Sequence, residues 1–329
     1  MRRLLVVLLF ACATVAPMRP AAAQDAPKPP SNDDCQACHG EADAKRASGS
    51  SVAVDAKTFA ASIHGQLNCV DCHADLQTLQ EYPHADRLKP VDCGSCHTDE
   101  AVAYHPSAHG RAREGAGLIV APTCATCHGT HDIKPGDDPN SRTAKANVAA
   151  NCGTCHTGIK ERFDVGIHAA ALRNHNAMAP TCTNCHTAHG ISRTDNNAWR
   201  LNAAQECGGC HVRLVDTYTR TFHGKVTQLG YGQVAACADC HRGHDILPPG
   251  DPNSSVAAGH RIETCSKCHK GANAQFVKYD PHPDPTNYQR NPVLWYANVF
   301  YWVLIPGCFG FFALHSALWF NRSWRERRK

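Results

Sequence analysis

The chain has 329 residues, of which 20 are cysteine and 22 are histidine, and a formal net charge of +4 at neutral pH. The excess of positive charge comes from the two ends of the chain, and residues 24–290 carry a net charge of −3, which excludes charge as an argument for nucleic-acid binding. Val, Ile, Leu and Phe make up only about 13% of residues 24–290, too few to offset the chain entropy lost on folding. This segment is therefore either disordered or built around a core that side chains do not supply.

Residues 1–23 have the three parts of a secretory signal peptide. Arg2 and Arg3 precede an apolar stretch at residues 4–16, and Ala21-Ala22-Ala23 offers a cleavage site. The apolar stretch is too short to span a bilayer, which disfavours a retained anchor. A lipoprotein signal ending at Cys12 is the alternative. We expect export, and a mature chain of 306 residues that begins after Ala23.

Nine C-x-x-C-H motifs account for 18 of the 20 cysteines. The cysteine pairs are Cys35/Cys38, Cys69/Cys72, Cys93/Cys96, Cys124/Cys127, Cys152/Cys155, Cys182/Cys185, Cys207/Cys210, Cys237/Cys240 and Cys265/Cys268. The histidines that follow are His39, His73, His97, His128, His156, His186, His211, His241 and His269. C-x-x-C-H is the attachment signature of c-type haem, in which two thioether bonds hold the porphyrin and the histidine becomes the proximal iron ligand.

Zinc sites and disulfides are the alternatives for any single motif. Neither explains a histidine after all nine pairs, so we predict nine covalent haem c groups. The two remaining cysteines are Cys12 and Cys308. Nine haems on 306 residues leave about 34 residues for each, and the porphyrins supply the missing apolar core.

The motifs recur as pairs with a period of 55–59 residues, which is typical of an array in which each repeat contacts mainly its neighbours. A first series begins at Cys93, Cys152, Cys207 and Cys265, and a second series begins at Cys124, Cys182 and Cys237. Cys35 and Cys69 form the first repeat, which has a 13-residue insertion at residues 42–54 that we interpret as a polar surface loop.

The other histidines follow the same register and supply candidates for the second iron ligand. A histidine comes 16 or 17 residues after each first-series motif begins, and three residues after three of the proximal histidines in the second series. The predicted distal ligands are His64, His84, His109, His131, His168, His189, His223, His244 and His282. His260 could replace His84 or His282, and the spacing does not reveal which histidine serves which iron.

Methionine, the other common axial ligand of electron-transfer haems, is nearly absent. Met178 is the only one outside residues 1–23. Two imidazoles give a lower potential than imidazole with methionine, so the composition indicates low-potential, six-coordinate haems.

Residues 291–320 are predicted to form a transmembrane helix. They contain no charged side chain, and aromatic residues flank both ends, as is usual at membrane interfaces. The basic residues 321–329 then lie in the cytoplasm, which agrees with the positive-inside rule. His315 is ionisable and within this segment, so it is a possible contact for a partner or a quinone, or it meets headgroups near the cytoplasmic end.

The steps Cys124-Ala125-Thr126-Cys127-His128-Gly129-Thr130-His131 and Ser107-Ala108-His109-Gly110 resemble those of multihaem cytochromes with doubled haem motifs, such as the cytochrome c3-like and nonahaem proteins. The tail from Asn291 to Ser316 is similar to the junction of inner-membrane proteins in which a multihaem domain is fused to a dihaem cytochrome b. Those proteins pass electrons outward from menaquinol. The resemblance implies such a role here with the cytochrome b as a separate subunit.

The predicted fold class is mainly α with little regular secondary structure, an elongated haem-cored array followed by one membrane helix. The domains are a signal peptide (1–23), a periplasmic nonahaem domain (24–290), the helix (291–320) and a cytoplasmic tail (321–329). We expect an electron carrier of the bacterial inner membrane, whose partners are a cytochrome b or other quinol-oxidising subunit and periplasmic redox proteins. A multihaem reductase with one open haem is the alternative.

Overall fold

The computed structural model describes residues 28–328, and the predicted signal peptide lies outside them. The described part is helical with long irregular connections, and its only β-type pairing is an isolated bridge between Lys45 and Ser51. This confirms the predicted class, mainly α with little regular secondary structure.

Most helices are one or two turns long. The α-helices are Asn32–His39, Ala56–Ala60, Cys69–Cys72, Thr98–Tyr104, Ala108–Gly110, Cys124–His128, Val148–Gly153, Thr157–Asp164, Ile167–Arg173, Cys182–His186, Asn197–Gly208, Val212–Thr219, Phe222–Gln228, Cys237–His241, Arg261–Ser266 and Pro292–Glu326. Short 3₁₀ turns occupy Ala74–Leu76, Cys93–Ser95 and Phe276–Lys278, and Arg111–Gly115 is a π-helical turn.

Attachment motifs of the second series each form one helical turn. The turn begins at the first cysteine and ends at the histidine, as in Cys124–His128 and Cys182–His186. Residues three apart share a helix face, so this turn brings both thiols to one side. At Cys237–His241 the carboxylate of Asp239 accepts a hydrogen bond of 2.8 Å from the N–H of Ala236, which satisfies a free donor at the helix start.

The first-series motifs that begin at Cys93, Cys152 and Cys207 are followed by a helix, a tight turn and a second short helix. In the second repeat, Thr98–Tyr104 begins directly after the proximal histidine, and Ser107 then caps Ala108–Gly110 by accepting a hydrogen bond of 3.0 Å from the N–H of Gly110. The predicted distal ligand His109 is the second residue of that short helix. The 16-residue spacing from the first cysteine of the motif to the distal histidine therefore spans the motif, the first helix and the turn.

Tyrosines at the end of the first helix connect the two series. The hydroxyl of Tyr104 donates a hydrogen bond of 2.7 Å to the carbonyl oxygen of Pro122, and that of Tyr218 donates one of 2.9 Å to Ala235. Both acceptors lie two residues before a second-series motif. These two tyrosines therefore fix the approach to the next attachment site, whereas Phe163, near the end of the corresponding helix in the third repeat, has no hydroxyl to do so.

Contacts divide the described chain into two units, one formed by residues 28–57 and 66–92 and the other by residues 58–65 and 93–328. Within the second unit, helix contacts connect elements that are close in sequence, such as Asn197–Gly208 with Val212–Thr219. This local pattern is what a repeat array requires.

The buried apolar residues of the described chain are small. Apart from Val70, Val148 and Tyr218 they are all alanines. Large apolar side chains on the helices that follow the motifs are exposed instead, among them Val102 (66% exposed) and Val212 (69%). Side chains alone therefore leave the apolar surfaces near the attachment motifs uncovered, as the composition predicts.

The C-terminal helix, Pro292–Glu326, is long and apolar enough to cross a membrane, with a mean hydropathy of 1.7 in its most apolar part. It continues past the predicted end at residue 320, and Arg322 donates a hydrogen bond of 2.8 Å to Glu326 one turn later. The guanidinium of Arg328 lies 4.7 Å from the ring centroid of Trp324, a cation–π contact at the basic end.

Candidate metal centres

Histidines of the attachment motifs meet histidines from the predicted distal set in pairs. The pairs, with their ring-centroid distances, are His39–His84 (5.9 Å), His64–His97 (5.9 Å), His109–His156 (6.1 Å), His128–His189 (6.0 Å), His168–His211 (6.3 Å), His186–His244 (6.0 Å), His223–His269 (5.9 Å) and His241–His282 (6.2 Å). His73 and His131 complete the two sets, and His131 also lies 6.3 Å from the ring of Phe59.

These distances fit a haem iron between two imidazoles. Metal–imidazole bonds are about 2 Å long, and two of them on opposite sides of one ion, together with the two ring radii, separate the ring centroids by roughly 6 Å. Among residues 28–328 there is no group of three or more His, Cys, Asp or Glu side chains arranged for a metal ion. The histidine side chains are therefore grouped in pairs. A porphyrin leaves two axial positions of its iron open, which one pair can fill, whereas a zinc site needs more ligands.

Most of these pairs join successive repeats. Three distal histidines of the first series lie beside the proximal histidine of the next repeat, as His109 does with His156, whereas His282 lies beside His241 of the preceding repeat. A distal histidine of the second series lies beside the second-series proximal histidine of the preceding repeat, as His189 does with His128. Each of these sites is thus built from two repeats, whereas His39 and His84 both belong to the first repeat.

Three backbone hydrogen bonds reinforce this interleaving. In each bond the donor is the N–H of the residue that precedes a first-series distal histidine. The acceptor is the carbonyl oxygen of the residue two positions after a second-series distal histidine. The bonds are Ile63 to Ile133 (2.9 Å), Ala108 to Ile191 (2.7 Å) and Ile167 to Ile246 (2.8 Å). The two kinds of distal histidine are therefore held close together at each junction between these repeats.

Cysteines of successive motifs also lie next to one another. As free thiols, Cys152 and Cys182 share a hydrogen bond that raises the pKa of Cys152, and the hydrogen bond with Cys237 raises the pKa of Cys207. In the first repeat, burial and the neighbouring thiol of Cys35 raise the pKa of Cys69 to about 11. Adjacent motifs in the sequence are therefore adjacent attachment points in space.

The two thiols of a motif differ in exposure. In six motifs the first cysteine is partly buried and the second is exposed. The exposed second cysteines are Cys38, Cys72, Cys96, Cys155, Cys210 and Cys268, and Cys124 is an exposed first cysteine. In these six motifs the side chains of the protein thus partly cover the first thiol and leave the second at the surface.

In the first-series motifs the exposed second cysteine lies in a tight backbone turn. The N–H groups of Cys96, Cys155 and Cys210 each donate a hydrogen bond of 3.3 Å to the carbonyl oxygen of the first cysteine in the same motif. This turn leaves the second thiol in contact with small polar neighbours: the hydroxyl of Ser95 lies 4.0 Å from the sulfur of Cys96, and that of Thr154 lies 3.9 Å from the sulfur of Cys155. An exposed thiol is accessible for thioether formation, so all three stay predicted attachment residues.

Burial also affects the histidines. Burial lowers the pKa of His241, and the neighbouring ring of His282 lowers it further. Burial also lowers the pKa of His168, with a further contribution from His211. A lowered pKa keeps the imidazole neutral near pH 7, and neutral imidazole is the form that binds a metal.

Some axial candidates have a defined partner for the second ring nitrogen. Nδ1 of His282 lies 3.1 Å from the hydroxyl of Thr217 and 3.2 Å from the carbonyl oxygen of Leu214. Nδ1 of His84 lies 2.8 Å from the carbonyl oxygen of Ala85. A partner at Nδ1 leaves Nε2 for the metal and fixes the orientation of the ring.

The histidines outside the two sets have other surroundings. His105 forms an exposed ion pair with Glu114 at 2.8 Å, and His260 lies 3.6 Å from Glu263. His175 is exposed in a turn with φ 56°, and the ring of His315 lies 6.4 Å from that of Phe311 in the C-terminal helix. The alternative in which His260 replaces His84 or His282 has no ring pair to support it.

The sequence patterns did not predict which aromatic residues pack on the predicted ligands. The ring of Trp199 is parallel to that of His186 within 4°, at a centroid distance of 5.0 Å, and Phe276 lies 4.9 Å from His269. Trp199 is the only tryptophan before the C-terminal helix, which was the available signal.

Two protein-family models match the chain. The model for cytochrome c3 matches residues 174–270, and the model for cytochrome c7 and related cytochrome c matches residues 52–129. Seven of the nine attachment motifs lie within these segments. The chain is a multihaem c-type cytochrome. No curated protein and no solved structure matches it.

Cytochromes of these families carry electrons on covalently bound haem c, and the sites described above fit that group. In this cytochrome, the paired thiols of each motif would hold a porphyrin, and paired histidines would hold its iron. Ligation by the individual cysteines and histidines stays a prediction.

Proposed function

We propose that this cytochrome carries electrons through nine bis-histidine haems in the periplasm, tethered to the inner membrane by its C-terminal helix. The donor is a membrane cytochrome b or another quinol-oxidising subunit, and the acceptors are periplasmic redox proteins. The observation that carries the proposal is the set of histidine pairs about 6 Å apart, each joining a motif histidine to a distal candidate. A bound haem supplies an iron that gains and loses one electron.

The chain's own residues contribute in three ways. Paired histidines hold both axial positions, which leaves no open position for a substrate and favours electron transfer over a reductase. Adjacent cysteines of consecutive motifs, such as Cys152 and Cys182, keep neighbouring attachment points close together. The interleaved repeats make each of these sites depend on its neighbours, so the spacing between sites is fixed by the fold.

Export and anchoring are supported by the two ends of the chain. The signal-like residues 1–23 direct the domain outward, and the helix Pro292–Glu326 then crosses the membrane with its basic end in the cytoplasm. A single-pass anchor of this orientation keeps the haem domain next to membrane partners.

Intact mass and ligand binding test the proposal together. We expect nine haem additions on a chain cleaved after Ala23, and no change in the reduced spectrum on adding carbon monoxide, because carbon monoxide binds only an open iron. Seven or fewer haems would refute the haem count. A stoichiometric carbon monoxide complex would favour the reductase instead.

A further inference from the structure

The insertion in the first repeat, residues 42–54, folds back on itself. The N–H of Arg46 donates to the carbonyl of Ser50 at 3.0 Å, and the N–H of Val52 donates to Ala44 at 2.9 Å. Gly49 at the turn has φ 85°, a conformation that glycine adopts without strain. Most of the segment is exposed, as expected for a surface loop, but Val52 and Val54 on its returning side are partly buried.

The returning side of this loop contacts the proximal histidine of the first haem site. Nδ1 of His39 lies 2.8 Å from the carbonyl oxygen of Val52, and the N–H of Val54 donates to the carbonyl of His39 at 2.7 Å. An imidazole that binds iron through Nε2 carries its hydrogen on Nδ1, so His39 is the donor to Val52. The loop therefore holds the ring through its side chain and the residue through its backbone.

A hydrogen bond of this kind changes the iron as well as the ring. It increases electron density on the ligating nitrogen, and a more basic ligand stabilises ferric iron more than ferrous iron. His84, on the opposite side of the same site, has its own Nδ1 partner in the carbonyl of Ala85, and its ring is within 10° of parallel to that of His39. Both ligands of this site are thus oriented and made more basic by backbone carbonyls.

We propose that residues 42–54 are a tuning loop for the first haem, the one bound by Cys35 and Cys38. The carbonyl of Val52 fixes the ring of His39 and lowers the reduction potential of that haem. This inference rests on the proposed function, in which His39 and His84 are its axial ligands.

The test removes residues 42–54 from the full-length membrane protein and follows its reduction by EPR. The signal of the first haem is identified as the low-spin component that disappears in His84→Ala. We expect the potential of this haem to rise on excision, while the potentials of the others stay unchanged.

The sign of the shift separates the hydrogen bond from other effects. The excised segment contains Asp43, Lys45 and Arg46, a net charge of +1, and loss of positive charge near an iron lowers its potential. Greater exposure to water also lowers it. Only loss of the hydrogen bond to His39 raises it, so an unchanged or lower potential overturns the proposal.

A second variant keeps the chain at full length. Gly49→Val strains the turn because valine avoids positive φ, and it should raise the same potential by a smaller amount. Ser48→Ala is the matched control, since the Ser48 hydroxyl contacts only that of Ser50, at 3.1 Å, and its loss should shift nothing. If the excised protein does not accumulate, an unchanged potential in Gly49→Val still overturns the proposal.

Failure of the loop and failure of the proposed function give different results. A haem count of seven or fewer, or no new high-spin haem in His84→Ala, contradicts the proposed function. The tuning loop alone is contradicted if the protein has nine haems and His84→Ala produces a high-spin haem, but the potential of the first haem does not rise when residues 42–54 are removed.

Discussion

At the scale of single residues, a histidine pair is formed by side chains far apart in sequence. His128 and His189 are 61 residues apart, yet their ring centroids are 6.0 Å apart and their planes are within 19° of parallel. Six-coordinate ligation of an iron at this site would need both rings, because the predicted thioether bonds of Cys124 and Cys127 would fix only the porphyrin.

We expect His189→Ala to convert one haem in nine to high spin while all nine remain attached. The affected haem should be the one on Cys124 and Cys127. A combined variant that also lacks these two cysteines should therefore show eight haems and no high-spin signal. Low-temperature EPR and intact mass measure both quantities.

His175→Ala is the matched control for this prediction. His175 is an exposed histidine in a turn, outside both ligand sets, and its removal should leave every haem low-spin. A high-spin haem in His175→Ala, or none in His189→Ala, would contradict the ligand assignment.

Asp245, which directly follows His244, is held by two arginines. Its carboxylate accepts hydrogen bonds of 2.8 Å from Arg162 and 2.7 Å from Arg242. Partial burial acts to raise the pKa of Asp245, but the hydrogen bonds from the two arginines outweigh it and lower the pKa to about 2. Arg162 belongs to the third repeat, so this ion pair also connects two repeats next to a predicted ligand.

We expect Asp245→Asn to reduce the free energy of unfolding by about 1–2 kcal/mol at pH 7. The pKa of Asp245 is lowered in the folded state, so its contribution is present above the unfolded pKa and is lost as the pH falls toward 2. The difference in urea midpoint between the two proteins should therefore shrink below about pH 4. Asp216→Asn, which removes an exposed pair with Arg220, should have little effect at any pH.

The two kinds of ligand differ in how far the sequence predicts them. Proximal histidines are adjacent to their cysteines, so local chemistry specifies them completely. Distal histidines could be predicted as a set from the repeat register, but their pairing could not, because it depends on how repeats interleave. The spacing leaves His260 as an alternative to His84 or His282, and the ring pairs of His84 and His282 favour those two.

At the scale of elements, the segment that carries a first-series distal histidine depends on close backbone packing. In the fourth repeat, Gly224 follows His223 and is buried, and a methyl group added there would collide with the carbonyl oxygen of Tyr218. Gly110 in the second repeat is in the same position relative to Tyr104. The third repeat has Ala169 instead, so its backbone leaves room for one methyl group.

We expect Gly224→Ala to destabilise the protein by about 1–3 kcal/mol, because the short helix must move away from the preceding turn. The movement displaces His223, so part of the haem on Cys265 and Cys268 should become high-spin. Urea denaturation and EPR measure the two effects. Gly250→Ala is the control, since no atom lies within 4 Å of the added methyl position, and equal effects in both variants would contradict this account.

Element boundaries were predictable only where the repeat fixes them. The 16-residue spacing between a first-series motif and its distal histidine corresponds to a helix, a turn and a second helix in the structure. Tyr104 or Tyr218 lies at the end of the first helix. The insertion at residues 42–54 was predicted as a surface loop, and it is exposed, but its contact with His39 was not predicted. A hydrogen bond to a backbone carbonyl leaves no mark in the sequence, because any residue could supply it.

At the scale of the whole molecule, covalent haem takes the place of a side-chain core. The buried apolar residues within 28–328 are mostly alanine, and larger ones such as Val102 and Val212 are exposed around the sites. Low content of large apolar residues normally indicates disorder, and the nine motifs are the reason that the same composition indicates an ordered cytochrome here.

The C-terminal helix contains more than a tether requires. A plain anchor needs only apolar residues, yet Pro306, Gly310 and Ala313 share one face of the helix and His315 lies on the opposite face, beside Phe311. Small residues allow another helix to approach closely, and an ionisable residue within a membrane helix is a candidate contact for a cofactor or quinone. We therefore expect this helix to dock onto the quinol-oxidising partner.

Replacing residues 292–320 with a polyleucine helix of equal length tests this expectation. The exchanged protein should keep its haem content and its membrane location, because the haem domain and the hydrophobic length are unchanged, but it should lose reduction by quinol in membranes that contain the partner. His315→Leu in the native helix separates the two faces, since it removes the ionisable group and leaves the small residues in place. Chemical reduction with dithionite is the control and should be complete in all three proteins. If quinol reduces the polyleucine protein at the native rate, the helix is only a tether and the docking proposal is wrong.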